Sequence, residues 1–223
     1  MRCRIMSGLM IVLLALFTAS GVVAKSSRKS RTMPATISVA MESSTKEAAL
    51  HDAMRKLWED HITWTRLFIV SAVADLPDKA ATTERLLQNQ VDIGNAIKPY
   101  YGDAAGEKLT ALLKTHITTA AELVAAAKAN DSAKVADASK RWYANADEIA
   151  AFLSGANPKS WPPAEMKQMM REHLDLTTAE VVAHLKGNWP EDVAAYDKIH
   201  TQILQMADML TNGIINQYPA KFK

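Results

Sequence analysis

LLKTHITTAA, residues 112–121, places a histidine in what otherwise reads as the apolar stripe of a helix. Leu109, Leu112, Leu113 and Leu123 stand at −7, −4, −3 and +7 from His116, all same-face positions of an α-helix. The pattern occurs twice more. KLWEDHITWTRLF (56–68), ALLKTHITTAAEL (111–123) and QMMREHLDLTTAE (168–180) superpose on His61, His116 and His173, with Leu57-Trp58, Leu112-Leu113 and Met169-Met170 at −4 and −3. A unit of about 55 residues, used three times, is the simplest reading of the chain.

The segments between these helices contain stops and starts that split each unit in two. Ser44 with Glu47 has the form of a capping box, and the first helix is expected to run from there to about Asp75, where LPD interrupts it. A second spans roughly 79–98 and stops at Pro99 and Gly102; a third begins near Asp103 and ends near Asn130. The fourth follows Asp131 and ends at Gly155. Pro162-Pro163 opens the fifth, Gly187 closes it, and Pro190 starts the sixth, with Pro219 past its end. No segment shows the alternation and β-branched enrichment of a strand. The expected fold class is all-α: a six-helix bundle built from three consecutive antiparallel helical hairpins.

Each hairpin offers its histidine a partner. Asp92 and Asp147 both lie 31 residues after their histidine, about as far beyond the turn as His61 and His116 lie before it, so at ~1.5 Å per residue each pair shares a level. In the third unit Asp208 comes 35 residues after His173, with WPED lengthening the turn region; Leu204 or Gln205 are alternatives at that level. Two readings follow. Buried imidazoles must satisfy two ring nitrogens, so His61, His116, His173, Asp92, Asp147 and Asp208 form a core polar network or a ligand-binding set, with Thr65 or Thr177 as further partners. Alternatively, three imidazoles converge on a transition metal such as zinc, iron or copper, with the aspartates behind them. Against metal stand the lack of His pairs at i and i+4, of Glu-x-x-His and of CxxCH. Met166, Met169, Met170 and His173, with Met206 and Met209, would suit Cu(I), though such a stripe is ordinarily core filler.

Charge and composition bound the rest. All 24 Asp and Glu and 20 of the 26 Lys and Arg lie in residues 41–223, a net −4, which offers no basic face for nucleic acid. MRCR, the apolar run 5–23 and Val22-Val23-Ala24 read as a signal peptide (1–24), the alternative being an uncleaved anchor; the protein is expected in the periplasm or outside the cell. Cys3 precedes the apolar run, so no lipid attachment is expected, and residues 25–223 contain no cysteine for thiol chemistry or Cys-ligated metals. Residues 25–43 carry Lys25, Arg28, Lys29 and Arg31 against the single acid Glu42 and read as a basic disordered linker with a weak peripheral attraction for an anionic envelope surface; residues 44–223 are the bundle domain. Arg66 and the five tryptophans are assigned to surface and packing, and His51, His184 and His200 recur in no unit.

LWEDHITWTRLFIVSAVADLPD (57–78), YYGD (100–103) and WYANADEIAAFL (142–153) resemble a group of small exported bacterial all-helical proteins without an established function, some of which carry the transferred name acetylglutamate kinase. The resemblance covers most of residues 55–215 and implies no catalytic residues. A kinase conflicts with a chain of eight glycines and no α/β alternation. The sequence thus points to a non-catalytic binding or interaction module of the cell envelope. Its alternatives are a metal-binding protein and a small-molecule sensor or hydrolase with an unrecognised pocket.

Overall fold

Three turns with one geometry set the architecture. Asp75, Asn130 and Gly187 all adopt the left-handed conformation, with φ of 53°, 55° and 68°. Each lies 14 residues after its histidine. The next residue's N–H bonds back five residues, Leu76 to Ser71, Asp131 to Ala126 and Asn188 to Ala183, at 2.9, 3.0 and 3.0 Å. This is a Schellman cap, which satisfies the orphan carbonyls of a helix end and reverses the chain. Asp, Asn and Gly are the residues that accept a left-handed backbone at least cost.

The computed structural model describes residues 35–223, with side chains from residue 45 onward. They form six helices: α1 (Ala35–Val73), α2 (Lys79–Tyr101), α3 (Asp103–Lys128), α4 (Ser132–Ala156), α5 (Pro163–Leu185) and α6 (Trp189–Gln217), with a terminal 3-10 turn at Pro219–Lys221. Among the described residues there is no strand, so the fold is all-α. Each helix packs on the next, α6 returns to α1, and α1 also touches α3 and α5. The hairpins α1–α2, α3–α4 and α5–α6 therefore close into a ring, with the histidine-bearing helices on the inside.

Two boundaries differ from the sequence expectation. Helix α1 starts at Ala35, so part of the expected linker, residues 35–43, is helical and Ser44 lies inside the helix. Nothing between Pro34 and Ser44 breaks a helix, and proline is well tolerated immediately ahead of one. Helix α2 continues through Pro99 to Tyr101, because a proline in the last turn forfeits one bond; the stop comes at Gly102, φ 85°, whose N–H bonds Lys98 O at 2.9 Å. The expected signal segment and the basic residues of the tail lie outside the described residues. Among the described residues, no helix is long and apolar enough to cross a membrane.

The apolar interior is in two parts. The larger cluster includes Met54, Trp58, Ile62, Leu113, Trp142, Ile149, Trp161, Leu174 and Ile203; the smaller comprises Phe68, Ile69, Leu86, Ile117, Val124 and Val181, nearer the hairpin turns. Close helix approaches rest on glycine. A Cβ on Gly94 would lie 1.9 Å from Thr110 Oγ1 and 2.6 Å from Gly106 O, which sets the α2–α3 crossing, and one on Gly213 would lie 2.0 Å from Trp161 Nε1.

Candidate functional site

His61, His116 and His173 are 3, 3 and 5 % exposed and lie at the level where the two apolar clusters meet. The His61 and His173 rings are 5.7 Å apart, and His116 is close enough to depress the affinity of His61 for a proton. Trp58 packs edge-on against His61 at 5.7 Å, and Trp142 tilts over His116 at 5.3 Å. The three hairpins thus do bring their histidines together.

The partners differ from those expected. His61 Nδ1 lies 3.3 Å from Gln90 Nε2, His116 Nδ1 3.1 Å from Asn145 Oδ1, and His173 Nδ1 3.2 Å from Gln202 Oε1. All three separations in sequence are 29 residues. Asn145 Nδ2 also donates to Leu112 O (3.2 Å) and Gln202 Nε2 to Met169 O (3.1 Å), each the carbonyl four residues before the histidine. In the first hairpin the two tasks are divided: Asn89 donates to Leu57 O at 3.0 Å, and Gln90 faces His61.

Asp92, Asp147 and Asp208 make no such contact. Asp92 accepts from Gln88 at 3.0 Å and lies 3.7 Å from Arg85; Asp147 pairs with Arg171 at 2.8 Å and Lys167 at 3.0 Å; Asp208 pairs with Arg55 and has His51 at 3.5 Å. Asp92 and Asp147 lie two residues past the true partner, ~3 Å along the helix, but those two residues also turn the side chain by about 200°, to the outer seam; Asp208 lies six residues past Gln202, ~9 Å along. The third turn is not lengthened either, since Gln202 keeps the spacing of 29. Thr65 and Thr177 turn their hydroxyls to His61 O and His173 O, each at 2.8 Å.

These bonds assign the tautomers. Asn145 and Gln202 spend their N–H groups on carbonyls, so their oxygens face the rings and His116 and His173 carry the proton on Nδ1. Gln90 Nε2 has two hydrogens for three acceptors, Leu86 O at 2.8 Å, Asn89 Oδ1 at 3.1 Å and His61 Nδ1 at 3.3 Å. A ring N–H does not point at this donor group, so His61 Nδ1 is the unprotonated nitrogen, shares a hydrogen at the longest of the three distances, and has its proton on Nε2. Among the described residues the hydrogen bonds of the three rings all run through Nδ1, and Trp58 Nε1, Trp142 Nε1 and Gln90 Oε1 are buried without a partner. Burial, reinforced by His173 and His116, holds His61 well below the usual imidazole range. Burial also pushes His116 down to about 3 and His173 down to about 4. The layer is uncharged at neutral pH.

With this tautomer set the rings offer two Nε2 lone pairs and one N–H. Independently of their protons, no three His, Cys, Asp or Glu side chains among the described residues are grouped to hold a metal. The methionine stripe is core: Met166, Met170 and Met206 are buried in the larger cluster, with Met169 and Met209 packed against it.

Immediately beyond the histidine layer, towards the hairpin turns, lies a partly enclosed chamber of about 170 Å³. The residues one turn past the histidines are Thr65, Ala120 and Thr177, too small to fill the axis, and the next layer, Ile69, Val124 and Val181, closes it. Phe68, Leu86, Ile117, Trp142 and Tyr143 complete most of the wall. Nothing in the repeat pattern announced it, because the signal is a coincidence of small residues at one level on three helices.

A buried ionic cluster flanks this region. Arg66 donates to Glu180 at 2.6 Å and forks onto Asp192 at 2.9 and 3.0 Å; His184 Nδ1 is 3.0 Å from the same carboxylate, and Tyr196 lies under the guanidinium at 5.0 Å. Burial pushes Glu180 up to about 7. Burial works against the charge of Asp192 too, yet its bonds from Arg66 and His184 keep it below the usual carboxylate range. Repeat spacing does not point to Arg66 or His184, because a cluster confined to one interface leaves no repeat to find it by.

Comparison of the chain with protein-family models, with curated proteins and with solved structures gave no match. The resemblance noted above rests on its three motifs.

Proposed function

We propose that this protein is an exported, non-catalytic binding module of the cell envelope that holds a small apolar ligand among its three helical hairpins. The chamber carries this reading. Its ~170 Å³ compares with the roughly 150 Å³ of an apolar cavity that takes up benzene or xenon, and natural cores are packed without voids of that size. A persistent cavity forfeits stability, which a ligand restores. The titratable side chains support a non-catalytic role, since the Arg66, Glu180, Asp192 and His184 cluster satisfies itself and does not line the chamber. Toluene, titrated calorimetrically into the purified chain, is expected to bind one to one and raise the melting temperature. Ala120→Phe, which fills the chamber, is expected to abolish that binding; toluene heat that survives this change, or no heat in the parent, refutes the reading.

Export is supported by the charged, apolar and small-residue order of residues 1–24, and the basic residues of the tail suit a weak contact with anionic lipid. Cell fractionation with N-terminal sequencing should recover a chain beginning at or near Lys25 outside the cytoplasm. A full-length cytosolic species contradicts it.

A second reading, transition-metal binding by His61, His116 and His173, is favoured by the convergence of three rings held through Nδ1. It requires Gln90 to turn its oxygen towards His61 and the three rings to shift from the places they occupy here, where they are not grouped to hold a metal. Stoichiometric zinc or copper uptake that is lost in His116→Ala supports this reading; no uptake ends it.

A further inference from the structure

The walls of the chamber define the chemistry of its occupant. No side chain lining it is charged, so an ion inside would lose its water with no counter-charge in return. Four serine and threonine hydroxyls line it, and two are committed: Thr65 and Thr177 donate to the carbonyls of His61 and His173. Ser139 on α4 and Thr178 on α5 bond no protein group among the described residues, and both are half-buried. They stand where the chamber approaches the surface, beside Val182, which lines it and is 41 % exposed. Polar ties across the α4–α5 seam lie on the far side of this point. Tyr143 bonds Asp175, and Asp147 bonds Arg171 and Lys167; none among the described residues joins 132–142 to 176–185. The seam is therefore tied at one end and open to separation at the end where the chamber lies.

We infer that the chamber takes an uncharged molecule with a one-ring apolar body and a single hydroxyl or carbonyl group, entering between α4 and α5 and leaving its polar group between Ser139 and Thr178. This rests on the ligand-binding reading above. The volume matches one ring with a small substituent, and Phe68 and Trp142 offer it aromatic faces. Two uncommitted hydroxyls can both donate and accept, so they suit an alcohol, a phenol or a ketone, whereas a carboxylate would sit in an uncharged, half-dry seam.

Toluene, p-cresol and benzoate, titrated at pH 7 into the purified full chain, separate the possibilities because they share a ring and differ in the head. Cresol is expected to bind about threefold to tenfold more tightly than toluene, the return from one added hydrogen bond, and benzoate about a hundredfold more weakly than cresol. In Ser139→Ala with Thr178→Val the cresol affinity should fall to that of toluene, with toluene unchanged. Should the double change disturb folding, Ser139→Ala alone, at a half-buried site, is expected to lower the cresol preference in part. Toluene bound but cresol no tighter, a preference that survives the substitutions, or benzoate bound as well as cresol each overturns the inference and leaves the chamber reading standing. No binding of toluene or of cresol overturns both.

Discussion

Asn145 shows how one side chain can fix a helix pair. Its oxygen accepts from His116 Nδ1–H and its N–H₂ group donates to Leu112 O, so both ends of the amide report on the same helix across the hairpin. Asn145→Leu leaves both partners buried and unpaired, and is expected to cost about 1–3 kcal/mol for each in urea denaturation. Asp147, two residues on and paired with Arg171 at the surface, gives the contrast: Asp147→Asn should cost less than about 1 kcal/mol. Equal losses would contradict the assignment of the amide as the histidine's partner. Glu180 is the other residue with a measurable signature. Its pKa is raised by burial from 4.5 to about 7, so between those values the unfolded chain releases a proton that the folded one keeps. Stability from Glu180 is therefore fully present below pH ~4.5 and is lost as pH rises through 7. Glu180→Gln keeps an oxygen for Arg66 and does not titrate. It should be more stable than the parent by about 1–3 kcal/mol at pH 8, with the gap closing towards pH 4.5; a gap independent of pH would place the effect in packing instead.

At the scale of elements, hairpins depend on the left-handed residue that ends each first helix. Gly187→Ala adds a Cβ whose nearest neighbour is Trp189 Cζ2 at 3.8 Å, so space is not limiting and the cost is conformational. It is expected to lower stability by about 1–2 kcal/mol, with helical content unchanged by circular dichroism. No loss would mean that the turn relaxes to another conformation. These turns were legible in the sequence because LPD, Asn130-Asp131 and Gly187 are strong stop signals, and the histidine face was legible because 3.6-residue periodicity puts leucines around it. The partner of each histidine was not. Rise along a helix changes slowly and azimuth changes quickly, so a level can be inferred from counting to a turn while a face cannot. Asn145 and Gln202 are moreover polar residues with no charge to attract notice, whereas Asp92 and Asp147 were conspicuous and wrong. The start of α1 was missed for a similar reason: Ser44 and Glu47 have the form of a cap, but residues 35–43 contain no glycine or proline to stop a helix from beginning earlier.

The whole molecule is a ring of three like hairpins that meet at one uncharged polar layer, and that layer makes the fold sensitive to acid. In the unfolded chain the three imidazoles take up protons near pH 6.5, while in the fold His116 and His173 resist down to about 3 and 4 and His61 is held well below the usual range. The unfolded state then binds more protons, so stability is complete above about pH 6.5 and is lost as pH falls towards 4. Glu180 acts in the opposite sense, gaining as pH falls from 7 to 4.5, but one carboxyl opposes three histidines. The balance should leave the protein a few kcal/mol less stable at pH 4.5 than at pH 7.5. Trp58 and Trp142, two of the five tryptophans, lie against His61 and His116, so tryptophan fluorescence includes a signal from the layer, while far-ultraviolet circular dichroism reads the helices. Because every hairpin contributes one ring to the same dry centre, a proton forced onto any of them puts an unsolvated charge at the point where all three meet, and the hairpins should separate together. In urea titrations at pH 4.5 the two signals are expected to change in one coincident transition, at a lower midpoint than at pH 7.5. A midpoint that does not move would show that the histidines are open to protons in the fold. Two separated transitions would show that the layer does not couple the hairpins.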